Sequence, residues 1–176
     1  MSTHKKQNIK QASIKLILLF QFIGTTFVAI APILDGSLTL DKFFHDITFS
    51  KEVAIIVMAI GGFLVASATL MMGKNFAVKP VPRSKAKLVI RWPFSFIRNP
   101  VYDGVFLLSG GWALLCRSWL AAIATSVLIV ILYRKVLIEE YFLRHKFGQA
   151  YIDYTKKVGR FFPKLHAKSR INSSAF

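Results

Sequence analysis

The sequence predicts an all-α membrane protein: a polytopic helix bundle of about four transmembrane helices, including a C-terminal hairpin, with a further helix at the cytoplasmic interface. Hydrophobic residues make up 54% of its 176 residues, and the mean hydropathy is +0.49, which is high for a soluble domain. The net charge is +16 although only 18% of residues are charged. The basic residues collect between apolar runs, a pattern typical of membrane topology and not of a nucleic-acid-binding surface.

Two apolar runs predict the first two membrane helices. The 19 residues of run 16–34, at 1.5 Å each, span about 28 Å, close to the thickness of the hydrocarbon layer. No convincing signal-peptide cleavage site follows this run, so we expect it to remain as an anchor. Its amide side chain, Gln21, is expected to face another helix. Residues 53–72 carry no charge, and Gly61 with Gly62 would allow another helix to approach closely.

A basic loop and a helical hairpin follow. The loop, residues 73–100, has seven basic residues and no acid, and its prolines discourage a continuous helix. Apolar runs 105–116 and 119–132 are separated by Arg117-Ser118 and predict a tight hairpin. Further apolar residues then recur on one helical face: Leu143, Phe147, Tyr151 and Tyr154. They predict a helix that lies on the bilayer surface or folds back under the bundle.

The chain is expected to form one membrane domain over residues 1–176. Its parts are a polar tail, two N-terminal transmembrane helices, the basic cytoplasmic loop, the hairpin with the C-terminal helix, and a second tail: 1–13, 14–72, 73–100, 101–165 and 166–176. Basic residues number four, two, seven, one and ten in the successive segments outside the apolar runs. This alternation predicts four crossings with both termini cytoplasmic. Polar segments 91–104 and 134–163 would then lie on the same cytoplasmic side.

Several kinds of chemistry find no support in the sequence. The one cysteine, Cys116, excludes an intrachain disulfide and a thiolate metal cluster. The histidines are not spaced with acids as a metal site, so no metal is expected. No nucleophile elbow and no glycine-rich phosphate loop is present.

The Asn99-Pro100 pair admits two interpretations. Asn is a preferred N-cap and Pro suits the first helical position, so the pair could simply begin a helix whose dipole Asp103 complements. The free N–H groups of such a helix end can also bind an anion such as a carboxylate, and Arg98 could add a bidentate contact. The residues alone leave both interpretations open.

The Glu139-Glu140 pair is equally ambiguous. Lys135 and Arg144 stand four residues from Glu139 and Glu140 respectively, so surface ion pairs could account for both acids. The acids also lie where a helix leaves the membrane. Carboxylates are costly near hydrocarbon, and that position indicates a functional role.

An ordered set of motifs resembles a known group of enzymes. Residues 93–104 read Pro-Phe-Ser-Phe-Ile-Arg-Asn-Pro-Val-Tyr-Asp-Gly, and Glu139-Glu140 and Arg160-Phe-Phe-Pro163 follow the hairpin. This set resembles the isoprenylcysteine carboxyl methyltransferase and phospholipid methyltransferase superfamily over residues 80–165. The resemblance implies an integral membrane enzyme that transfers a methyl group from S-adenosylmethionine to a hydrophobic or lipid-linked acceptor. Its active site would face the cytoplasm.

The resemblance also implies roles for individual residues. A first cofactor-binding wall would comprise Arg98, Asn99, Pro100, Tyr102 and Gly104. Glu139 and Glu140 would form the second wall. Arg160 matches a late arginine of the family near the active site, where it could hold a carboxylate or thiolate acceptor. Asn99 stands where the family commonly has His, so a hydrogen-bonding role is implied for it.

Two other functions stay open at this point. Membrane sterol- or enone-type reductases share a related Arg-His/Asn-Pro-x-Tyr element and bind NADPH, although they usually have more transmembrane helices. A non-catalytic membrane protein would use Asn99-Pro100 and Glu139-Glu140 only at helix ends. For a methyltransferase, isoprenylcysteine, phosphatidylethanolamine, a small thiol and a polyprenyl or sterol-like acid are all open as acceptors, because nothing in the helix faces discriminates among them.

Overall fold

The described part of the chain is built from helices. The computed structural model describes residues 2–35, 51–73 and 87–164. Within these ranges the helices are α1 Ser2–Asp35, α2 Lys51–Met72, α3 Pro100–Leu115, α4 Trp119–Phe147 and α5 Gln149–Lys157. The only β-type pairing among the described residues is a single parallel bridge between Ile97 and Gly159. The predicted all-α class is confirmed for this part of the chain.

Three of these helices are long and apolar enough to cross a membrane: Ser13–Asp35, Lys51–Met72 and Trp119–Phe147. Their outer faces expose large apolar side chains, among them Phe22 at 69% and Leu70 at 81%. Extended apolar surface of this kind suits contact with lipid. The first arm of the hairpin, α3, has 16 residues and is shorter than a full crossing normally requires.

Helix α1 begins earlier than its apolar run. The predicted polar tail, 1–13, is helical from Ser2 onward. Neither Pro nor Gly interrupts the sequence before Gly24, so no residue there stops the helix from extending. Residues 74–86 of loop 73–100 and all of tail 166–176 lie outside the described residues.

The predicted C-terminal helix is divided in two at Gly148. This glycine has a φ of +54°, a left-handed conformation that L-residues with a side chain rarely adopt. Helix α4 therefore ends at Phe147 and α5 turns away from it. The prediction of one continuous helical face is wrong in this respect. Its four apolar side chains nevertheless meet in one cluster that also contains Leu88 and Ile90.

Helices α2 and α3 pack backbone against backbone through small residues. A Cβ atom added at Gly61 would lie 2.7 Å from the carbonyl oxygen of Gly104, and one added at Gly104 would lie 2.6 Å from that of Gly61. A methyl group cannot fit at either position unless the helices separate. The expectation that Gly61 permits close approach is confirmed. Gly62 faces away, and its added Cβ would come no closer than 4.0 Å to Leu108.

We expect Gly61→Ala to destabilise the protein and Gly62→Ala to leave it unaffected. The added methyl at position 61 meets a backbone atom, so the cost should be about 1–3 kcal/mol, typical of an overpacked core. Thermal unfolding of both variants in one detergent checks this. Equal melting temperatures for the two variants would contradict the packing described here.

The hairpin tip is held by polar contacts. Arg117 adopts a positive φ of 50°, and Ser118 begins α4, its hydroxyl accepting a hydrogen bond of 2.9 Å from the Ala121 N–H. The same hydroxyl donates to the carboxylate of Asp35. The N–H of Leu120 donates to that carboxylate as well, at 3.1 Å. The end of α1 is thereby attached to the turn between α3 and α4.

Candidate active site

The segment after α5 returns to the loop before α3 and pairs with its backbone. The Arg98 N–H donates to the Gly159 carbonyl at 2.9 Å, and the Asn99 N–H to the Arg160 carbonyl at 3.2 Å. Gly159 is required here because an added Cβ would lie 1.8 Å from the carbonyl oxygen of Phe162. This pairing brings residues 61 positions apart in the sequence into one site.

Asn99 does not cap α3 with its side chain. Its carbonyl accepts from the N–H groups of Tyr102 and Asp103, at 3.0 and 3.1 Å, so it stands at the N-cap position. Its side-chain amide instead donates to the Arg160 carbonyl at 3.2 Å. The prediction that Asn99-Pro100 begins a helix is confirmed. The Asn99 amide makes no capping hydrogen bond and instead holds the C-terminal segment in place.

Glu140 lies between two arginines. Arg160 makes a bidentate pair with it, with Nε 3.0 Å from Oε1 and Nη2 2.8 Å from Oε2. Arg98 Nη2 is 3.2 Å from Oε1. The Glu140 side chain is only 4% exposed, so among the described residues it pairs with these arginines and not with Arg144. These hydrogen bonds also raise the pKa of Arg160 above its usual value, and the guanidinium stays protonated.

A second polar group lies beside the first. The Tyr102 hydroxyl donates to Glu139 Oε1 at 2.6 Å. Lys135, one helical turn before Glu139, is buried at 3% exposure. Its Nζ donates to Gln21 Oε1 at 2.8 Å and lies 5.5 Å from the centroid of the Tyr102 ring. The prediction that Gln21 faces another helix is confirmed, and α1 thereby contacts this polar group.

A cavity of about 720 Å³ opens between α2, α3, α4 and the two paired segments. Its lining is apolar and aromatic except for Asp103 and the Tyr133 hydroxyl: Leu64, Trp92, Pro93, Phe96, Ile97, Asp103, Phe106, Leu107, Ile129, Val130, Tyr133, Phe161, Phe162 and Pro163. Arg160 Nη1 donates to the Tyr133 hydroxyl at 3.4 Å, so this wall adjoins the arginine–glutamate cluster. The volume is that of a pocket for a small-molecule ligand.

Comparison with known proteins places the chain in a family. A family model described as phospholipid methyltransferase matches residues 49–150. The chain belongs to the phospholipid methyltransferase family. The matched residues include α2, the hairpin, Arg98, Glu139 and Glu140, whereas Gln21 and Arg160 lie outside them. The apolar helices and this membership make it an integral membrane protein.

Individual relatives agree with this assignment. The chain is 26% identical over 113 residues to a probable protein-S-isoprenylcysteine O-methyltransferase of Oryza sativa subsp. indica, covering 62% of this chain and 59% of the relative. It is 28% identical over 156 residues to the protein-S-isoprenylcysteine O-methyltransferase of Xenopus laevis, covering 86% of this chain and 54% of that protein. The chain thus spans between half and three-fifths of the length of these relatives.

A solved structure shares the fold of this family member. It is described as the eukaryotic intramembrane Ras methyltransferase ICMT, isoprenylcysteine carboxyl methyltransferase, and aligns with a TM-score of 0.66 at 24% sequence identity. The alignment covers 81% of this chain and 51% of that chain. At this identity the likeness concerns the fold alone.

The predicted site residues of this family member fall into two groups. Arg98 and Arg160 both contact Glu140, and Tyr102 contacts Glu139. Pro100 and Gly104 are buried in helix packing, and the open side of Gly104 faces α2. Helix packing therefore accounts for the residue types at positions 100 and 104 without a bound ligand.

The sequence interpretation missed Lys135 and Tyr133 as members of the site. Spacing contained a signal for Lys135, which stands one turn before Glu139 on a helix that leaves the membrane. Nothing in the sequence indicated that Tyr133 meets Arg160, because that contact depends on the return of the C-terminal segment.

Proposed function

We propose that this protein is an S-adenosylmethionine-dependent methyltransferase of the membrane that methylates a hydrophobic or lipid-linked acceptor. The observation that carries the proposal is the Arg98–Glu140–Arg160 cluster, which adjoins an apolar cavity through the Tyr133 hydroxyl. Family membership and the names of the relatives support it. When bound, the cofactor would supply a methyl group activated by a positively charged sulfur.

The residues present suit such a cofactor. Its methionine portion carries a carboxylate and an amino group, and its sulfur is positive. The buried Nε of Arg98 has no hydrogen-bond partner among the described residues, and an anionic group would satisfy it. Glu139 offers a carboxylate for the positive groups, whereas both oxygens of Glu140 are already used by Arg160 and Arg98. We propose that Arg98, Tyr102 and Glu139 hold the cofactor and that Glu140 orients Arg98 toward it. Three other predicted residues would shape the backbone around the cofactor: Asn99, Pro100 and Gly104.

Arg160 is best assigned as a positioning residue. The resemblance implied that it would hold an acidic acceptor, but its Nε and Nη2 are both used on Glu140. Its backbone carbonyl accepts from Asn99. We propose that Arg160 fixes the Glu140 carboxylate and attaches the C-terminal segment to the start of α3.

The cavity is proposed to receive the apolar part of the acceptor. Several apolar side chains around it are largely exposed, including Phe96 at 61%, Val130 at 60% and Phe162 at 82%. In a bilayer these side chains would face lipid, so an apolar acceptor could enter laterally. The chain contributes by holding acceptor and methyl donor in line and excluding water. Positioning of this kind can contribute about 7–11 kcal/mol to a displacement reaction.

We propose a topology of four crossings, with α3 and α4 as a hairpin and both termini cytoplasmic. The basic-residue counts support this arrangement. Both polar groups would lie at the cytoplasmic side, where a soluble cofactor can reach them. Helix α5 buries Tyr151 and Tyr154 against the bundle, so it would pack beneath the hairpin at the interface. The whole chain would form one membrane domain.

Calorimetric titration of the detergent-solubilised protein tests the cofactor. We expect saturable binding of S-adenosylmethionine and no binding of NADPH. Replacing Arg98 with Met should weaken that binding at least tenfold, because a buried donor to the cofactor carboxylate is lost. Arg91, exposed in the same loop, gives the matched control Arg91→Met. Binding of NADPH alone would favour the reductase, and binding of neither would favour a non-catalytic protein.

A further inference from the structure

We infer that the tip of the α3–α4 hairpin carries a second binding site, for an anionic phospholipid. One acyl chain of the lipid fills an apolar cavity, and the lipid phosphate pairs with Arg117 at the mouth of that cavity. This site lies away from the candidate active site, and the inference does not depend on the proposed methyltransferase function.

The first observation is a cavity of about 340 Å³ between α2, α3 and α4, which we call the tip cavity. Its wall is mainly apolar and includes Val57 from α2, Gly110 and Leu114 from α3, and Ala122 from α4. The volume lies at the lower end of the range for ligand pockets. We therefore expect the tip cavity to take one acyl chain and not a whole lipid.

The tip cavity lies at the other end of α3 from the arginine–glutamate cluster. Helix α3 has 16 residues, a length of about 24 Å. Asn99, which contacts Arg160, precedes its first residue, and the tip cavity reaches Arg117 beyond its last. The tip cavity and the larger cavity share Phe106 and Leu107 in the middle of the helix. They are therefore neighbours along α3, and only the larger one adjoins the cluster.

The second observation is an unused charge at the mouth of the tip cavity. Its wall has three polar side chains, and two of them already have partners. The Ser118 hydroxyl donates to Asp35, and the Thr125 hydroxyl donates to the Ser109 carbonyl at 3.3 Å. The Arg117 side chain is exposed and has no hydrogen bond or ion pair within the described ranges. The tip cavity thus presents one available charge, and that charge is positive.

Neither composition nor backbone geometry favours arginine at position 117. Arg117 is the only charged residue between Asp103 and Arg134, in a stretch otherwise suited to hydrocarbon, where a charge is costly. Its φ of +50° is a conformation that Gly or Asn adopts more readily. A ligand that needs a guanidinium would explain the residue, because the planar guanidinium binds phosphate through two hydrogen bonds.

An anionic phospholipid complements both parts of the site. Leu114, in the wall of the tip cavity, is 37% exposed, so an acyl chain in the bilayer can enter from the side. The phosphate of the same lipid then lies at the level of the hairpin tip and can reach Arg117. A zwitterionic lipid offers the same phosphate but also an ammonium group, which Arg117 repels. We therefore expect the anionic lipid to be preferred.

Two photoreactive lipids test this site. Phosphatidylglycerol and phosphatidylcholine are prepared with the same acyl chains and a diazirine on one chain, and the label is located by mass spectrometry after irradiation and digestion. We expect phosphatidylglycerol to label the wall of the tip cavity about fivefold more than phosphatidylcholine. The net charge of +16 attracts anionic lipid to the whole protein, but a readout resolved by residue separates this local label from the rest.

A matched pair of variants assigns the preference to Arg117. Arg117→Asn removes the charge and suits the positive φ, and we expect the phosphatidylglycerol label in the tip cavity to fall about fivefold. Arg134→Gln lowers the net charge by the same amount at another exposed position of the hairpin, and we expect it to leave that label unchanged. Equal effects of the two substitutions, or equal labelling of the wild type by both lipids, would overturn the inference.

A cavity-filling variant tests the position of the acyl chain. A Cβ atom added at Gly110 would meet no atom within 4 Å, so the side chain of Gly110→Leu fits and occupies the tip cavity. We expect at least fivefold less label in the tip cavity from both lipids, with unchanged label at the exposed Phe22 of α1. Unchanged label in the tip cavity would overturn the inference. If Arg117→Asn does not fold, the wild-type preference and Gly110→Leu decide together. None of these measurements requires methyl transfer, so the inference and the proposed function can fail separately.

Discussion

Replacing Glu140 with Gln is expected to lower methyl transfer at least 100-fold and to destabilise the protein by about 3–5 kcal/mol. Glu140 is buried between Arg98 and Arg160, with three contacts of 3.2 Å or less. A neutral amide at this position leaves two guanidinium groups side by side without a counter-charge. We expect the C-terminal segment to separate from the start of α3, and binding of S-adenosylmethionine to weaken accordingly.

The controls for this variant distinguish a local effect from a general one. Asp153→Asn makes the corresponding change in a solvent-exposed ion pair with Lys156 on α5, and it should change both quantities little. Glu140→Asp keeps the charge on a shorter side chain, and we expect it to recover part of the stability. Chemical unfolding in detergent and a radiolabelled-methyl assay supply the measurements. Wild-type stability and transfer in Glu140→Gln would show that the cluster has neither role.

The second large effect is expected for Lys135→Met. The ammonium group donates to Gln21 and lies near Tyr102, the partner of Glu139. Its removal leaves Glu139 without the neighbouring positive charge and the Gln21 amide without its donor. We expect a loss of about 3 kcal/mol in stability, as for other buried charges that lose a partner. Binding of S-adenosylmethionine should weaken about tenfold, which corresponds to 1.4 kcal/mol.

A double-mutant cycle tests whether the contact with α1 matters. Gln21→Leu should cost less than Lys135→Met, and the double variant should cost less than the sum of the two. Arg134→Met is the matched control, because Arg134 is exposed on the same helix. Additive effects of the two substitutions would mean that Gln21 and Lys135 do not act as a pair.

Helical periodicity and charge distribution predicted much of the fold. The apolar runs are long and nearly uncharged, so they can form only helices in a membrane, where backbone groups must be satisfied internally. The break at Gly148 was not predicted, because the apolar spacing from Leu143 to Tyr154 continues through it. Spacing describes which side chains can share a surface, and both helices do place theirs in one cluster.

The candidate site was predicted as a set of residues and not as a set of contacts. The motifs named Arg98, Glu140 and Arg160, but local spacing favoured Arg144 as the partner of Glu140. Asn99 matched a capping rule, yet its side chain holds Arg160. In each case the side chain contacts a residue distant in the sequence and not a near one, because the C-terminal segment returns to the loop before α3.

The sequence by itself determined that this chain is helical and apolar enough for a membrane. It also determined that its polar residues concentrate before and after a hairpin. These properties follow from local composition and from the period of the helix. Only the tertiary structure decided that Glu140 lies between two arginines, that Lys135 reaches α1, and that Asp103 lines an apolar cavity. Those contacts join residues far apart in the chain, and burial makes each depend on partners that no local pattern specifies.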